Sequence, residues 1–321
     1  MIYLITASKD ATVYEIDPTF NAGLDEMLQV SKAYTRLSQS DTSRTYIQFN
    51  FDSLPSYVTA SSVTLQMLTY ESEELPLNYT IYAYPVTENW DMGVGNAIES
   101  IYTDGITWNS QPAYEPNVVA TQSFSYSSAD INMNIIELYN YWSSMNNYGI
   151  RLCHTESIES SSYNYGYLKL YSKETNTYRQ PLVKIAWDDQ IYNTGSLSAL
   201  PEGEAVVKTT DLKDVYIGGS LVKINLIARK KHPLKTFDAS YPYFDNRYLP
   251  STSYYAITDV ITKTKLVDFS EYTKISCNGS QNYIVLDTTN YPLNRPLKLS
   301  FKINRDGYVE YYEDDLTFMI K

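Results

Sequence analysis

The chain of 321 residues carries two cysteines and two histidines. That is too few for a disulfide scaffold, a zinc finger or a His-rich metal site, so no metal or cofactor is expected. Cys153 and Cys277 lie far apart and read as two small buried hydrophobes. No run reaches the roughly 18 consecutive apolar residues of a membrane span. The opening, Met1 to Asp10, has no basic region and reads as a first strand, not a signal peptide. The expectation is therefore a chain made and kept in the cytoplasm. No phosphate-binding loop is present either. Gly93-Val94-Gly95-Asn96-Ala97 is the nearest approach, and no βαβ pattern surrounds it. A net charge of -12 and a pI near 4.7 argue against nucleic acid as a partner.

What the chain has in excess is tyrosine: 33 residues, against 9 Phe and 4 Trp. Tyr joins an apolar body to a polar tip, which suits half-buried strands and wet interfaces. Charge divides unevenly. Residues 1–200 hold 9 Lys/Arg against 22 Asp/Glu, and residues 201–321 hold 16 against 15. The composition changes in the small, polar, Gly/Pro-bearing stretch from Tyr192 to Gly203, which follows an apolar strand over Leu182 to Trp187. The division expected is a domain over 1–190, a linker over 191–203 and a second domain over 204–321.

Both halves read as β. Period-two alternation marks Thr45–Phe51, Val63–Tyr70, Thr80–Val86 and Tyr167–Ser172. One stretch, Ile131–Met145, is predicted to be a helix, with Ile135, Leu138, Tyr139 and Trp142 at helical spacing and Asp130 as N-cap. Strands are predicted in the second half at 220–228, 254–262, 283–286, 297–303, 307–312 and 316–320, with turns at Asn278-Gly279 and Arg305-Asp306-Gly307. The fold class expected is all-β: a jelly-roll-like β-sandwich followed by a smaller immunoglobulin-like β-sandwich.

Several segments of the first half fall in the order of a known pattern. They are the opening strand Ala7–Tyr14, the turn Asn21-Ala22-Gly23, and Ser43–Phe51 followed by Leu54-Pro55. After them come Val58–Leu68, Val86-Thr87-Glu88-Asn89-Trp90 and Thr107-Trp108-Asn109-Ser110-Gln111-Pro112. Tyr148–Leu152, Tyr171–Glu174 and Arg179–Ile185 close the series. Together they resemble the DNRLRE-type domain, a β-sandwich related to carbohydrate-binding modules of the disaggregatase-repeat kind. A sandwich of this kind beginning at Met1, with a second β domain behind it, is similar to structural proteins of tailed-bacteriophage virions. Tyr243–Ser251 and Asp314–Ile320 are similar to C-terminal β domains of such proteins.

Catalytic parts are scarce. Cys153 and His154 are neighbours on a strand and point to opposite faces, so they do not pair as nucleophile and base. The acids Glu71, Glu73, Glu74, Glu88, Asp91 and Asp104 show no spacing that separates a working pair from a solubilising surface. Asp188-Asp189 and Glu313-Asp314-Asp315 lack the spacing of a calcium loop. The chain is thus expected not to be an enzyme. Sugars stack their C–H faces on exposed rings, so Trp90, Tyr102, Trp108 and Tyr114, around the loop Asn89–Pro116, are the candidate glycan platform. Interface candidates are Tyr163, Tyr165, Tyr167, Tyr241 and Tyr243, with the basic run Arg229, Lys230, Lys231. The first expectation is a virion structural protein of neck, collar or tail, assembled in the host cytoplasm through contacts with copies of itself and other virion proteins. The alternative is a glycan-binding adhesion module.

Overall fold

The computed structural model of the chain describes all residues except 35–38, 56–57, 74–77, 97–103, 126–129, 190, 234–244, 290 and 306, and of 71–73 the backbone alone. The chain divides into two compact units, Leu4–Ile185 and Met1–Tyr3 with Ala186–Lys321. Both are built of strands.

The unit Leu4–Ile185 is organised around β1 (Ile2–Tyr14) and β3 (Ser40–Phe49). They pair antiparallel from Ala7↔Phe49 to Tyr14↔Ser43. The other edge of β3 is shared. Its first residues, Ser40–Ser43, pair with β2 (Met27–Tyr34), and Thr45–Ile47 pair with β9 (Ile150–Cys153). From this branch one path runs outward through β2 to β10 (Gly166–Tyr171) and β5 (Thr69–Glu73), the other through β9 to β6 (Tyr79–Pro85) and β7 (Ala120–Phe124). Beyond β1 lie β11 (Leu182–Ala186), β4 (Ser62–Met67) and β8 (Ile131–Asn134). Strands β4, β6 and β10 alternate buried and half-buried residues, the pattern of a sheet with one face on a core. Their apolar inner faces, such as Val63, Leu65, Met67, Ile81, Leu168 and Leu170, are fully buried.

Two expectations need correction here. The Ile131–Met145 stretch is not one helix. Ile131 and Met133 alternate with exposed asparagines along β8, which pairs with β4, and α1 occupies only Ile136–Trp142. Asp130 does not cap it, since its Oδ1 accepts from the Thr69 amide, while Asn134 Oδ1 accepts from Ile136 N at 3.1 Å. The Val63–Tyr70 run divides at Leu68, because β4 pairs with β8 while β5 pairs with β10.

In the second unit, β12 (Ala205–Thr209), β14 (Leu221–Lys230), β18 (Gln281–Asp287) and β17 (Ser276–Asn278) form a sheet in the order β12-β14-β18-β17. The other sheet runs β13-β20-β19-β15-β16, from β13 (Val215–Tyr216), β20 (Tyr308–Ile320), β19 (Leu297–Arg305), β15 (Ser253–Asp259) and β16 (Lys265–Val267). Read in chain order, these are the A-B-E-D and A′-G-F-C-C′ orders of an immunoglobulin-like sandwich, as expected. Even the parallel A′–G pairing is present, Val215↔Met319 and Tyr216↔Ile320. Ile224, Leu226, Ile284 and Leu286 of one sheet and Ile257, Leu299, Phe301 and Phe318 of the other are fully buried. The two strands predicted at 307–312 and 316–320 are one, β20, interrupted by a register shift where buried Asp314 accepts from Thr209 N at 2.9 Å. The stretch read as a linker is tied to this unit: Cys277 N donates to Asn193 O and Ser196 N to Gly279 O.

Candidate functional site

The residues of the aromatic platform have different fates. Trp90 is 7% exposed, packs with Ala11, Val13, Tyr46, Val86 and Ile106, and donates Nε1–H to Tyr148 O at 2.7 Å. It is a core residue, and this corrects its place in the platform. Tyr102 lies outside the described residues. Trp108 and Tyr114 are half-buried, but each ring already carries a cation of this chain: the Arg44 guanidinium lies 4.4 Å from the Trp108 centroid and Arg151 lies 4.1 Å from that of Tyr114. Tyr84 adds a ring 5.1 Å from Tyr114.

Arg44 is held by more than the ring. Its Nε and Nη2 donate to the two carboxylate oxygens of Glu159, and Nη1 donates to Gln111 Oε1 at 2.8 Å. The same Gln111 oxygen accepts from the Tyr46 hydroxyl, and Gln111 Nε2 donates to Trp108 O. Burial works against the Arg44 charge, yet the bonds to Glu159 outweigh it and hold its pKa above the usual value. Asn21 anchors the chain leading to Trp108. Its Nδ2 donates to Met92 O and Ile106 O, and its Oδ1 accepts from Gly23 N and Gly95 N. Gly93 and Gly105, with φ of 77° and 94°, close on that side chain so tightly that a Cβ on Gly93 would sit 2.4 Å from Asn21 Oδ1. This cluster is a closed structural network.

An open groove lies elsewhere on the same unit, between the end of β3 and α1. It encloses about 660 Å³, within the range of ligand sites. Two half-buried rings, Phe51 and Tyr139, form its apolar wall, with the buried Trp142 behind them. Phe51 stands 5.6 Å from both Tyr139 and Trp142, edge-on to the first and tilted to the second. Helix α1 sets Tyr139 and Trp142: Leu138 and Trp142 face the core, which leaves Tyr139 half-buried beside them. Burial raises the Tyr139 phenol pKa, so its hydroxyl stays protonated. A turn before β9 is stitched to β3 as the opposite wall. Asn147 Nδ2 donates to Phe49 O at 2.7 Å, Gln48 Nε2 donates to Asn147 O at 2.6 Å, and Gly149 follows at φ 100° where a Cβ would meet Ile47 O. Among the described residues, Asn50 Nδ2, Asn146 Oδ1 and the Tyr139 hydroxyl make no hydrogen bond, and Trp142 Nε1 is buried without one. The arrangement offers stacking rings beside unspent donors and acceptors.

A model described as carbohydrate-binding module family 96 matches residues 2–185. The chain belongs to that family. No curated protein matches it. The family 96 match covers the sandwich holding both aromatic clusters, and such a family is one of binding modules, not catalysts.

Within the family 96 domain, Cys153 and His154 are both buried, and burial pushes the thiol up to about 11 and the imidazole down to about 4. Neither is poised as a nucleophile or base. His154 instead packs edge-on against Tyr79, 5.0 Å away. Of the interface candidates, Tyr163 is exposed, the Tyr165 ring lies tilted 6.1 Å from that of His154, and the Tyr167 hydroxyl donates to Asp41 at 3.1 Å. In the second unit Lys230 and Lys231 are exposed, Lys231 paired with Glu204 at 2.8 Å, and Arg229 is half-buried. Tyr241 and Tyr243 lie outside the described residues. Sequence reasoning missed the groove. Tyr139 and Trp142 were visible as a helical stripe and Phe51 as a strand end, but only the topology brings them together.

Proposed function

We propose that the family 96 domain binds a glycan in the groove between β3 and α1. The observation that carries this reading is the pair of half-buried rings, Phe51 and Tyr139, backed by the buried Trp142 and facing amides with unspent hydrogen-bonding groups. Sugar rings present apolar C–H faces and a fringe of hydroxyls, and such a wall matches both. The Arg44–Trp108 cluster is less suited, because its rings already stack on guanidinium groups. A place on a virion, and assembly with copies of itself, rest on sequence resemblance alone, and the glycan reading needs neither. A glycan array probed with the full chain tests it. Binding that is lost in Phe51→Ala, with an unchanged circular dichroism spectrum, supports the proposal, and a silent array overturns it.

A further inference from the structure

We infer that one end of the second unit is a surface that docks on a lipid bilayer, a property independent of the glycan reading. Four aliphatic side chains mark it. Ile217 and Leu221 sit at either end of the turn from β13 to β14, Ile261 lies in the turn from β15 to β16, and Leu293 precedes β19. They are 57% to 76% exposed, although Ile and Leu are ordinarily core residues. The topology gathers them. Strands β13 and β20 finish side by side at Tyr216↔Ile320, β14 begins at Leu221 opposite the last residue of β18, and β19 begins at Leu297 opposite the last residue of β15. Hydrogen bonds tie the turns to one another: Thr288 Oγ1 donates to Ile217 O at 2.8 Å, Asn294 N to Ile320 O at 2.7 Å and Val260 N to Pro296 O at 3.0 Å.

A contiguous apolar patch of this kind marks a protein interface or a membrane contact, and three features favour the membrane. The first is composition. In a chain with 33 Tyr, the aromatic residues described at this end, Tyr216, Tyr291 and Phe318, are all buried. Protein interfaces draw their binding energy from exposed Tyr, Trp and Arg, whereas Leu and Val contribute little there. The second is the backbone of the tips, which is bonded within the fold. Ile217 O also accepts from Ser220 Oγ, Gly218 N donates to Lys321 O, and Ile261 N and Thr262 N both donate to Asp259 Oδ1. Such tips enter the acyl boundary without leaving those polar groups unpaired. The third is charge. Lys263 and Lys321 are exposed beside the tips, where they meet anionic headgroups. Two carboxylates of this end, Asp259 and Asp287, are buried, the first paired with Arg295 at 2.8 Å and the second accepting from Thr289 N at 2.9 Å. Asp214, exposed ahead of β13, opposes the two lysines.

The test is flotation of the full chain with vesicles of phosphatidylcholine and phosphatidylglycerol. These lipids carry no sugar, which keeps a glycan site out of the readout. Each run is made at about 0.05 M and about 0.5 M salt, conditions that separate screened charge from apolar insertion. Flotation with the vesicles at both salt concentrations is the expected result. Ile217→Asp and Ile261→Asp, on separate turns, should each weaken it about tenfold while their melting curves match the parent. A chain that stays at the bottom of the gradient overturns the inference. Flotation that high salt abolishes, or that both variants leave unchanged, overturns it as well. A concentration-dependent native mass that the same substitutions reduce, without flotation, assigns the end to a protein interface and overturns it too.

Discussion

Two aromatic clusters stand on one sandwich, and they differ in what already occupies the rings. At Trp108 and Tyr114 the occupants are Arg44 and Arg151 of the same chain, the first locked by Glu159 and Gln111. At Phe51 and Tyr139 the rings meet edge-on beside the buried Trp142 and leave an open groove of about 660 Å³. Aromatic content therefore does not designate a binding surface. The deciding feature is whether the protein has already spent the ring faces and the polar groups around them.

The largest expected effect lies on the closed side. Arg44→Ala strips Glu159 of its partner where side chains are only 19% and 11% exposed. Removing one member of such a pair should cost about 4 kcal/mol, measured by urea denaturation. A loss below about 1 kcal/mol, the worth of a surface ion pair, would mean that the network is not structural and would reopen the Trp108 face as a site.

A second test uses pH. Asp10 is 1% exposed, its Oδ2 accepts from Lys173 N at 2.6 Å, its Oδ1 has no partner among the described residues, and burial raises its pKa to about 7. A raised carboxyl pKa contributes stability that is full below the unfolded value near 3.8 and is lost as pH rises toward 7. His154 works the other way. Its pKa, lowered to about 4, means stability is lost as pH falls from 6.5 toward 4. Asp10→Asn should therefore gain on the parent as pH rises from about 4 to about 8, by on the order of 3 kcal/mol, read from melts across pH. A constant difference would show that Asp10 does not titrate in that window.

Asn21→Ala removes four hydrogen bonds, three of them buried, that tie the chain around Met92 and Ile106. It should cost about 2 kcal/mol, again by denaturation. The smallest stability change is expected on the open side, where Tyr139→Ala should cost under about 1 kcal/mol, since alanine favours the helix and Tyr139 is only half-buried.

The sequence made part of this contrast legible. Strands β4, β6 and β10 show themselves because each has one wet face, so polarity alternates with burial. Strand β2 did not, because its polar Ser31 and Lys32 are buried and bonded within the sandwich, the lysine to Ser40 at 2.7 Å. Strand β8 was absorbed into a helical reading since Ile131 and Ile135 satisfy both periods. Trp108 and Tyr114 drew attention as loop aromatics, but nothing in their spacing reveals an arginine lying over each ring. The groove was hidden for the opposite reason, as Phe51 and Tyr139 stand 88 positions apart and meet only through the fold.

The most direct test of the contrast is a calorimetric titration of one polysaccharide that binds on the glycan array into the full chain and into Tyr139→Ala and Tyr114→Ala. Tyr139→Ala should weaken binding about tenfold, roughly 1.4 kcal/mol, while Tyr114→Ala should leave the affinity unchanged. Loss of binding in Tyr114→Ala with full affinity in Tyr139→Ala would contradict the contrast and move the site to the face that Arg151 covers.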